Sequence, residues 1–388
     1  MSTVKATNFQ NASSATANMV TDASGNVSFG GTAAMSSSFL RNRIINGDMR
    51  IDQRNAGASV TQSTATTYTV DRWSVYGTVA SKFTAQRNAG AVTPPTGYTN
   101  YLGCTSSSAY SITSTDRFQI QQPIEGLNIS DLGWGTASAA TVTLSFWVRS
   151  SLTGTFGGAV FNSDGSRSYP YSYAISVANT WEQKTVTIAG DTSGTWLTTN
   201  GIGLNVLFSL GAGSTLSGTA GSWAGSFYVS ATGATSVVGT NGATFYITGV
   251  QLEVGAVATP FERQLYNAQL AQCQRYFETT YFSSSVAVPT NATGGYIPIP
   301  SAAIGAGSQY AFVPFKVTKR ASPTVTTYSY TSSTTSKVSN LGGTDLAVSS
   351  GVPAGATASH FWLSNDSGGS ITPSLGGFAI HYAATSEL

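Results

Sequence analysis

The stretch Gln251–Phe277, QLEVGAVATPFERQLYNAQLAQCQRYF, is where the hydrophobic pattern of the chain changes from a period of two to a helical one. Upstream, Tyr246, Thr248, Val250, Leu252 and Val254 alternate with Phe245, Ile247, Gln251 and Glu253, the mark of a strand closing a sheet. Gly255 ends that strand and Pro260 stands where a helix could start. Tyr266, Leu270, Cys273 and Phe277 then recur at spacings of four, three and four, one apolar stripe that needs a surface to pack on. Short alternating segments with Gly, Ser and Thr turns lie on both sides, so the stretch predicts a joint between two β units.

Working outward, residues 41–262 predict one jelly-roll-like β-sandwich. Its expected strands are 43–51, 68–76, 82–87, 118–124, 141–149, 171–177, 181–188, 203–210 and 244–254, with the stretches near 88–115 and 211–243 as surface loops. A linking helix occupies 263–281, and 282–388 form a second, smaller β-sandwich. Its strands are expected at 286–288, 296–299, 310–317, 324–329, 361–363 and 378–382, around Phe312, Phe315, Tyr328, Phe361, Trp362, Phe378 and Tyr382. Residues 1–40 are polar and nearly uncharged, too poor in apolar side chains to offset the entropy of ordering alone, and read as an extended assembly arm with Val27 and Phe29 as anchor residues. The fold class is all-β.

Composition agrees. Of 388 residues only 9% are charged against 41% hydrophobic, so the surface must be built from Ser, Thr, Asn, Gln and Gly. A formal net charge of +2 gives no field that would gather nucleic acid or an anionic membrane. No basic-then-apolar leader opens the chain and no apolar run reaches eighteen residues. Cys104 and Cys273, far apart and in different contexts, read as two free buried thiols.

Motifs for chemistry are scarce. There is no GxSxG, HExxH, CxxC or phosphate-binding glycine loop, and the two histidines, His360 and His381, read as structural. No cofactor, metal or catalytic residue is expected. Asp48, Asp52, Asp71 and Glu253 could form a calcium site or an acid pair, but ion pairs with the interleaved Arg43, Arg50, Arg54 and Arg72 explain them more simply. Trp196 and Trp223, set among Gly, Ser and Thr, with Tyr169 and Tyr171, are the candidate faces on which sugar rings could stack, while Trp73 and Trp147 read as core.

Several motifs are similar to a module of tailed-bacteriophage virion structural proteins of the tail-fibre type: NRIINGDM (42–49), DRW (71–73), LSFWVRS (144–150), QLEVG with TPFE (251–262), CQRYF (273–277) and the final EL. The resemblance spans about residues 41–388. It implies a non-enzymatic fibre protein of the virion, assembled in the host cytoplasm as a homotrimer. The arm 1–40 would bind other virion proteins, and β-domain loops would contact a host surface glycan. The alternative it allows is a head-fibre, decoration or collar protein. A glycan-cleaving spike is disfavoured, because neither a repetitive β-helix nor a clear carboxylate pair is visible.

Overall fold

The computed structural model describes residues 8–9, 19–21, 27–28, 40–281, 297–300, 309–329, 332–340, 345–347, 356–365 and 377–388. The segment read as an arm carries three short antiparallel strands, β1 (Asn8–Phe9), β2 (Met19–Thr21) and β3 (Val27–Ser28). Val27 lies on β3, and Phe29 lies outside the described residues.

The next unit is a sandwich built from β4 (Val60–Thr61), β5 (Thr67–Tyr68), β6 (Ser74–Gly77), β7 (Phe83–Arg87), β8 (Leu102–Ser106), β9 (Arg117–Glu125), β10 (Val142–Ser150), β11 (Gly154–Phe161), β12 (Ser168–Ile175), β13 (Glu182–Ile188), β14 (Ile202–Ala212), β15 (Ser217–Gly218), β16 (Ser230–Ala231) and β17 (Thr244–Val254). Two six-stranded antiparallel sheets, ordered β13-β10-β17-β8-β7-β4 and β12-β11-β14-β9-β6-β5, face each other. The strand that decided the sequence reading, β17, sits inside the first sheet between β10 and β8. Its inward phase switches at Gly249, whose positive φ of 59° accompanies a register shift against β10. Phe245 and Ile247 therefore point into the core ahead of the bulge, and Val250 and Leu252 after it. Across the gap Phe146 of β10 meets Tyr173 of β12 and Phe208 of β14 edge to face, both at 4.9 Å.

Five expectations for this unit change. The 88–115 stretch is not a surface loop: β8 runs through it, with Leu102 and Cys104 fully buried. Residues 154–161, glycine-rich and unassigned in the sequence, form β11. The expected strand at 43–51 is instead irregular chain, with positive φ at Asn46 and Met49, and 68–76 is a hairpin of β5 and β6 rather than one strand. Trp147 is half-buried on the outer face of its sheet and not in the core.

Past the sandwich come α1 (Tyr266–Gln274), β18 (Phe277–Thr279), β19 (Ile297–Pro300), β20 (Gln309–Pro314), β21 (Thr324–Ser329), β22 (Lys337–Asn340), β23 (Asp345–Ala347), β24 (His360–Asn365) and β25 (Gly377–Thr385). β25 is central, flanked by β18 and β19 on one edge and by β21 and β22 on the other. β20 and β24 form a separate antiparallel ribbon. Pro260 does not open the helix, which begins six residues later after an extended run. The expected strand at 286–288 and the core residue Phe378 lie outside the residues whose side chains are described. Two other expected core residues are on the surface: Phe312 and Trp362 are 51% and 40% exposed, on the ribbon face opposite Val313 and Phe361.

Candidate functional site

The aromatic residues expected to bind sugar are internal. Trp196, Trp223 and Trp134 pack edge to face with centroids 4.7–5.5 Å apart, and Tyr169 closes on Trp223 at 5.2 Å. Each indole N–H is taken by a backbone carbonyl: Trp134 by Ala140, Trp196 by Ser193 and Trp223 by Ala189. Trp196, Tyr169 and Tyr171 are buried, and the Tyr171 hydroxyl donates to the Leu207 carbonyl at 2.7 Å. Only Trp223 is half-buried. Arg167, locked to Asp191 by two bonds of 2.7 and 2.8 Å, lies near its ring. A stacking platform needs free faces, and packing among three loops has used these. Trp196, Tyr169 and Tyr171 are therefore corrected from ligand contacts to core.

The acidic set separates in the same way. Asp48 pairs with Arg50 at 2.6 Å, as the interleaving suggests. Asp52 accepts the Asn55 and Gly57 amides, and Glu253 accepts from Thr259 and Gln251. Asp71 is fully enclosed against Gln53, and burial pushes its carboxyl up to about 6. The other arginines go elsewhere: Arg43 to Asp131, and Arg54 and Arg72 to Glu387. Among the described residues no group of three potential ligands converges on a metal position.

What the motifs build is a joint. Residues separated by up to 333 positions meet where the sandwich abuts the last strands. The Arg72 guanidinium, almost wholly buried, lies 3.6 Å from the Tyr276 ring centroid, donates to the Pro123 carbonyl and pairs with Glu387. Arg54 lies 3.6 Å from the Phe277 ring and reaches the same Glu387 at 2.9 Å. Gln53 bridges Asp71 to the Phe277 carbonyl. Burial alone would push the Glu125 carboxyl up, but two bonds from Arg275 and one from the Tyr276 hydroxyl outweigh it and hold the group below its usual range.

A second layer lies behind these contacts. Lys319 and Glu278 form a fully buried pair at 2.5 Å, joined by the Tyr382 hydroxyl, and burial lowers Lys319 to about 8. Asn42 ties the chain entering the sandwich to Val250, Leu252 and Glu262. Arg320 reaches the Ser386 and Glu387 carbonyls and exchanges bonds with Asn200.

The helix stripe belongs to this joint in part. Cys273 is buried and Leu270 half-buried, but Tyr266 is 42% exposed and Phe277 is on β18, under Arg54. The buried face of α1 is polar: Gln269, which donates to Asp48, with Cys273 and Gln274. Both cysteines are free and buried, and burial pushes both thiols up. His381 is buried with Nδ1 3.0 Å from the Thr280 hydroxyl, and His360 is half-buried beside Thr357 and Ser359. Sequence reading missed Glu125, Glu278 and Lys319, and met Glu387 only as part of the final EL. For the two missed carboxylates the signal was scarcity: with only 16 acidic residues in 388, a carboxylate beside apolar residues is there for a partner.

No protein-family model and no curated protein matches the chain. Solved structures with similar regions include the enzymatically active domain of tailspike protein 4 of bacteriophage CBA120, with 13% identity and a TM-score of 0.30. That match covers 56% of this chain and 22% of the tailspike, so the chain spans under a quarter of that protein. A putative sugar binding protein from Bacteroides thetaiotaomicron VPI-5482 matches with 14% identity and a TM-score of 0.31, over 55% of this chain and all of that one. A carbohydrate-binding module in complex with beta-1,4-galactotriose matches with 11% identity and a TM-score of 0.26, over 47% and 88%.

Proposed function

We propose that the chain is a non-enzymatic fibre protein of a tailed-bacteriophage virion, of the tail-fibre type. Residues 1–40 attach it to other virion proteins, and loops of its β units contact the host surface. The observation that carries this reading is the fate of the motif residues. Asn42, Asp48, Arg54, Asp71, Arg72, Glu253, Glu262, Arg275 and Tyr276 are all held in ion pairs or hydrogen bonds within the chain, mostly around the joint. Carboxylates engaged in this way are not placed for general acid and base work on a glycosidic bond. A joint of this kind fixes the orientation of one unit on another, which an appendage under mechanical force needs.

Self-association, expected as a trimer, is supported by the β20–β24 ribbon. Its apolar residues line both faces, Val313 and Phe361 inward and Phe312 and Trp362 outward, as in strands covered on both sides. The test is to image intact particles labelled with an antibody against residues 282–388 and to measure the mass of the purified protein. Label at a distal tip with a trimer mass is expected. Label on the capsid or neck moves the protein to the head-fibre or collar class, and a monomer mass removes the trimer. Particles that still carry a chain lacking residues 1–40 would show that the arm is not the anchor.

A further inference from the structure

The two ends of the sandwich differ in what reaches them. At one end Glu125 closes β9 and contacts Arg275, Asn200 lies just ahead of β14 and contacts Arg320, and Arg43 enters beside Asn128. At the other end of the same two strands, Arg117 is paired with Ala212. Nine residues of β9 separate these ends, roughly 27 Å. The far end holds an open cleft of about 500 Å³ between residues 110–114 and 212–214, with Ser236 and Gly239 on a third side. That volume lies within the range of small-ligand sites.

The cleft has a built floor. Asp116, buried beneath it, accepts from the Thr113 amide at 2.8 Å, the Thr113 hydroxyl at 2.7 Å, the Tyr110 hydroxyl at 2.9 Å and the Thr78 hydroxyl at 2.8 Å. Four bonds to one carboxylate fix both the loop and the Tyr110 ring, which packs on Phe118. Gly213 completes the close approach: its amide donates to the Asp116 carbonyl, and a Cβ there would stand 2.1 Å from the Thr113 carbonyl oxygen. Above this floor the wall groups are unengaged. Among the described residues the Ser111, Ser114 and Ser214 hydroxyls make no side-chain hydrogen bond, and Ser236 Oγ only accepts, from the Gly239 amide. Ile112 and Ala212 add apolar surface, and no charged side chain lines the space.

We propose that this cleft binds a neutral saccharide of one or two rings. A rigid site without charge, with several free hydroxyls beside an aromatic ring and two aliphatic side chains, suits a ligand that is itself uncharged, dense in hydroxyls and apolar on its ring faces. It lies at the end of the sandwich away from the chain entry and the joint, open to an outside partner. The proposal deepens the host-surface reading above and rests on it.

The experiment is titration calorimetry of the full chain with galacto-, gluco- and manno-configured neutral trisaccharides and one sialylated trisaccharide. It is run on the unaltered protein, on Ser214→Trp, which fills the cleft, and on the milder Ser111→Ala/Ser214→Ala pair. Melting curves confirm that each folds. Saturable binding of at least one neutral sugar, abolished by Ser214→Trp and weakened roughly tenfold by the double alanine variant, is expected. Binding of only the sialylated sugar, no heat with any neutral sugar, or binding untouched by both variants overturns the cleft assignment. Particle labelling decides the fibre reading separately: the cleft can fail while particles still carry the protein, and a protein absent from particles can still bind sugar.

Discussion

The sandwich and the C-terminal unit are both antiparallel β, yet they are held together by different forces. The sandwich closes over one continuous cluster of 38 buried side chains, Trp73, Phe118, Phe146, Phe208 and Leu252 among them. The C-terminal unit gathers five among its described residues: Val313, Phe361, Ile380, Tyr382 and Ala384. Apolar burial contributes about 25 cal/mol per Å², and among the described residues the sandwich gathers far more of it than the C-terminal unit. The described part of that unit is also tied across the joint, through Arg72 and Arg54 with Glu387 and through Glu125 with Arg275, and internally through Lys319 with Glu278. A core of this kind is non-directional and tolerant. A joint of buried charges is directional, and unforgiving of a missing partner.

The largest effect that sharpens this contrast is expected from Phe146→Ala. It should destabilise the sandwich by about 4 kcal/mol in urea unfolding, because the ring spans both sheets. Arg72→Met should cost about 2 kcal/mol by removing one of the two arginine partners of Glu387 and the bond to the Pro123 carbonyl, and the loss should appear as earlier unfolding of the C-terminal unit while the sandwich transition holds. If both transitions shift equally, the two regions are one cooperative unit and the contrast fails.

Acidity should affect the two ends of the sandwich differently. The folded Asp71 carboxyl is raised to about 6 from 3.8, so its contribution is fully present below pH 4 and is lost as pH rises through 6. Asp116 is opposite. Burial alone would raise it, but its hydrogen bonds hold it at about 2, so its contribution is present above pH 4 and is lost as pH falls through 2. Hydrogen exchange of the Gln53 amide, corrected for intrinsic rate, should therefore slow between pH 7 and pH 5, and that of the Thr113 amide should not change. A slowing at Thr113 over that interval would break the assignment. The smallest effect is expected from Leu270→Asp, about 1 kcal/mol, because the side chain is only half-buried on α1. Dissociation of an oligomer by this change would place Leu270 at a contact between subunits as well.

Much of the sandwich is legible in the sequence because β9, β10, β13, β14 and β17 carry alternation or long apolar runs, and 244–254 is found with both ends in place. β8 and β11 escape because glycines break up their patterns, although their neighbours bury them. Residues 43–51 mislead in the other direction. They alternate like a strand, but their polar members turn inward: Asn46 binds the Ile51 and Asp71 carbonyls, and Asp48 meets Arg50 and Gln269. The tryptophans mislead for the same reason. Composition places Trp196 and Trp223 in loops, but their burial depends on Trp134, some sixty to ninety residues away. Side chains whose role is set by distant partners leave little local trace.

The position of β17 carries a consequence for how the chain is made. It is the last strand of its sheet in sequence, yet it lies between β10 and β8, and β25 likewise follows every strand it pairs with. Until residue 254 leaves the ribosome, β8 and β10 each lack the neighbour that lies between them in the finished sheet. Completion then requires insertion of a strand into a gap, with pairings across more than 90 positions, a topology that folds slowly and exposes adhesive edges meanwhile. Overproduction in a crowded cytoplasm should therefore yield aggregates of chains stalled before that insertion, and slower translation or a lower temperature should recover more of the finished protein.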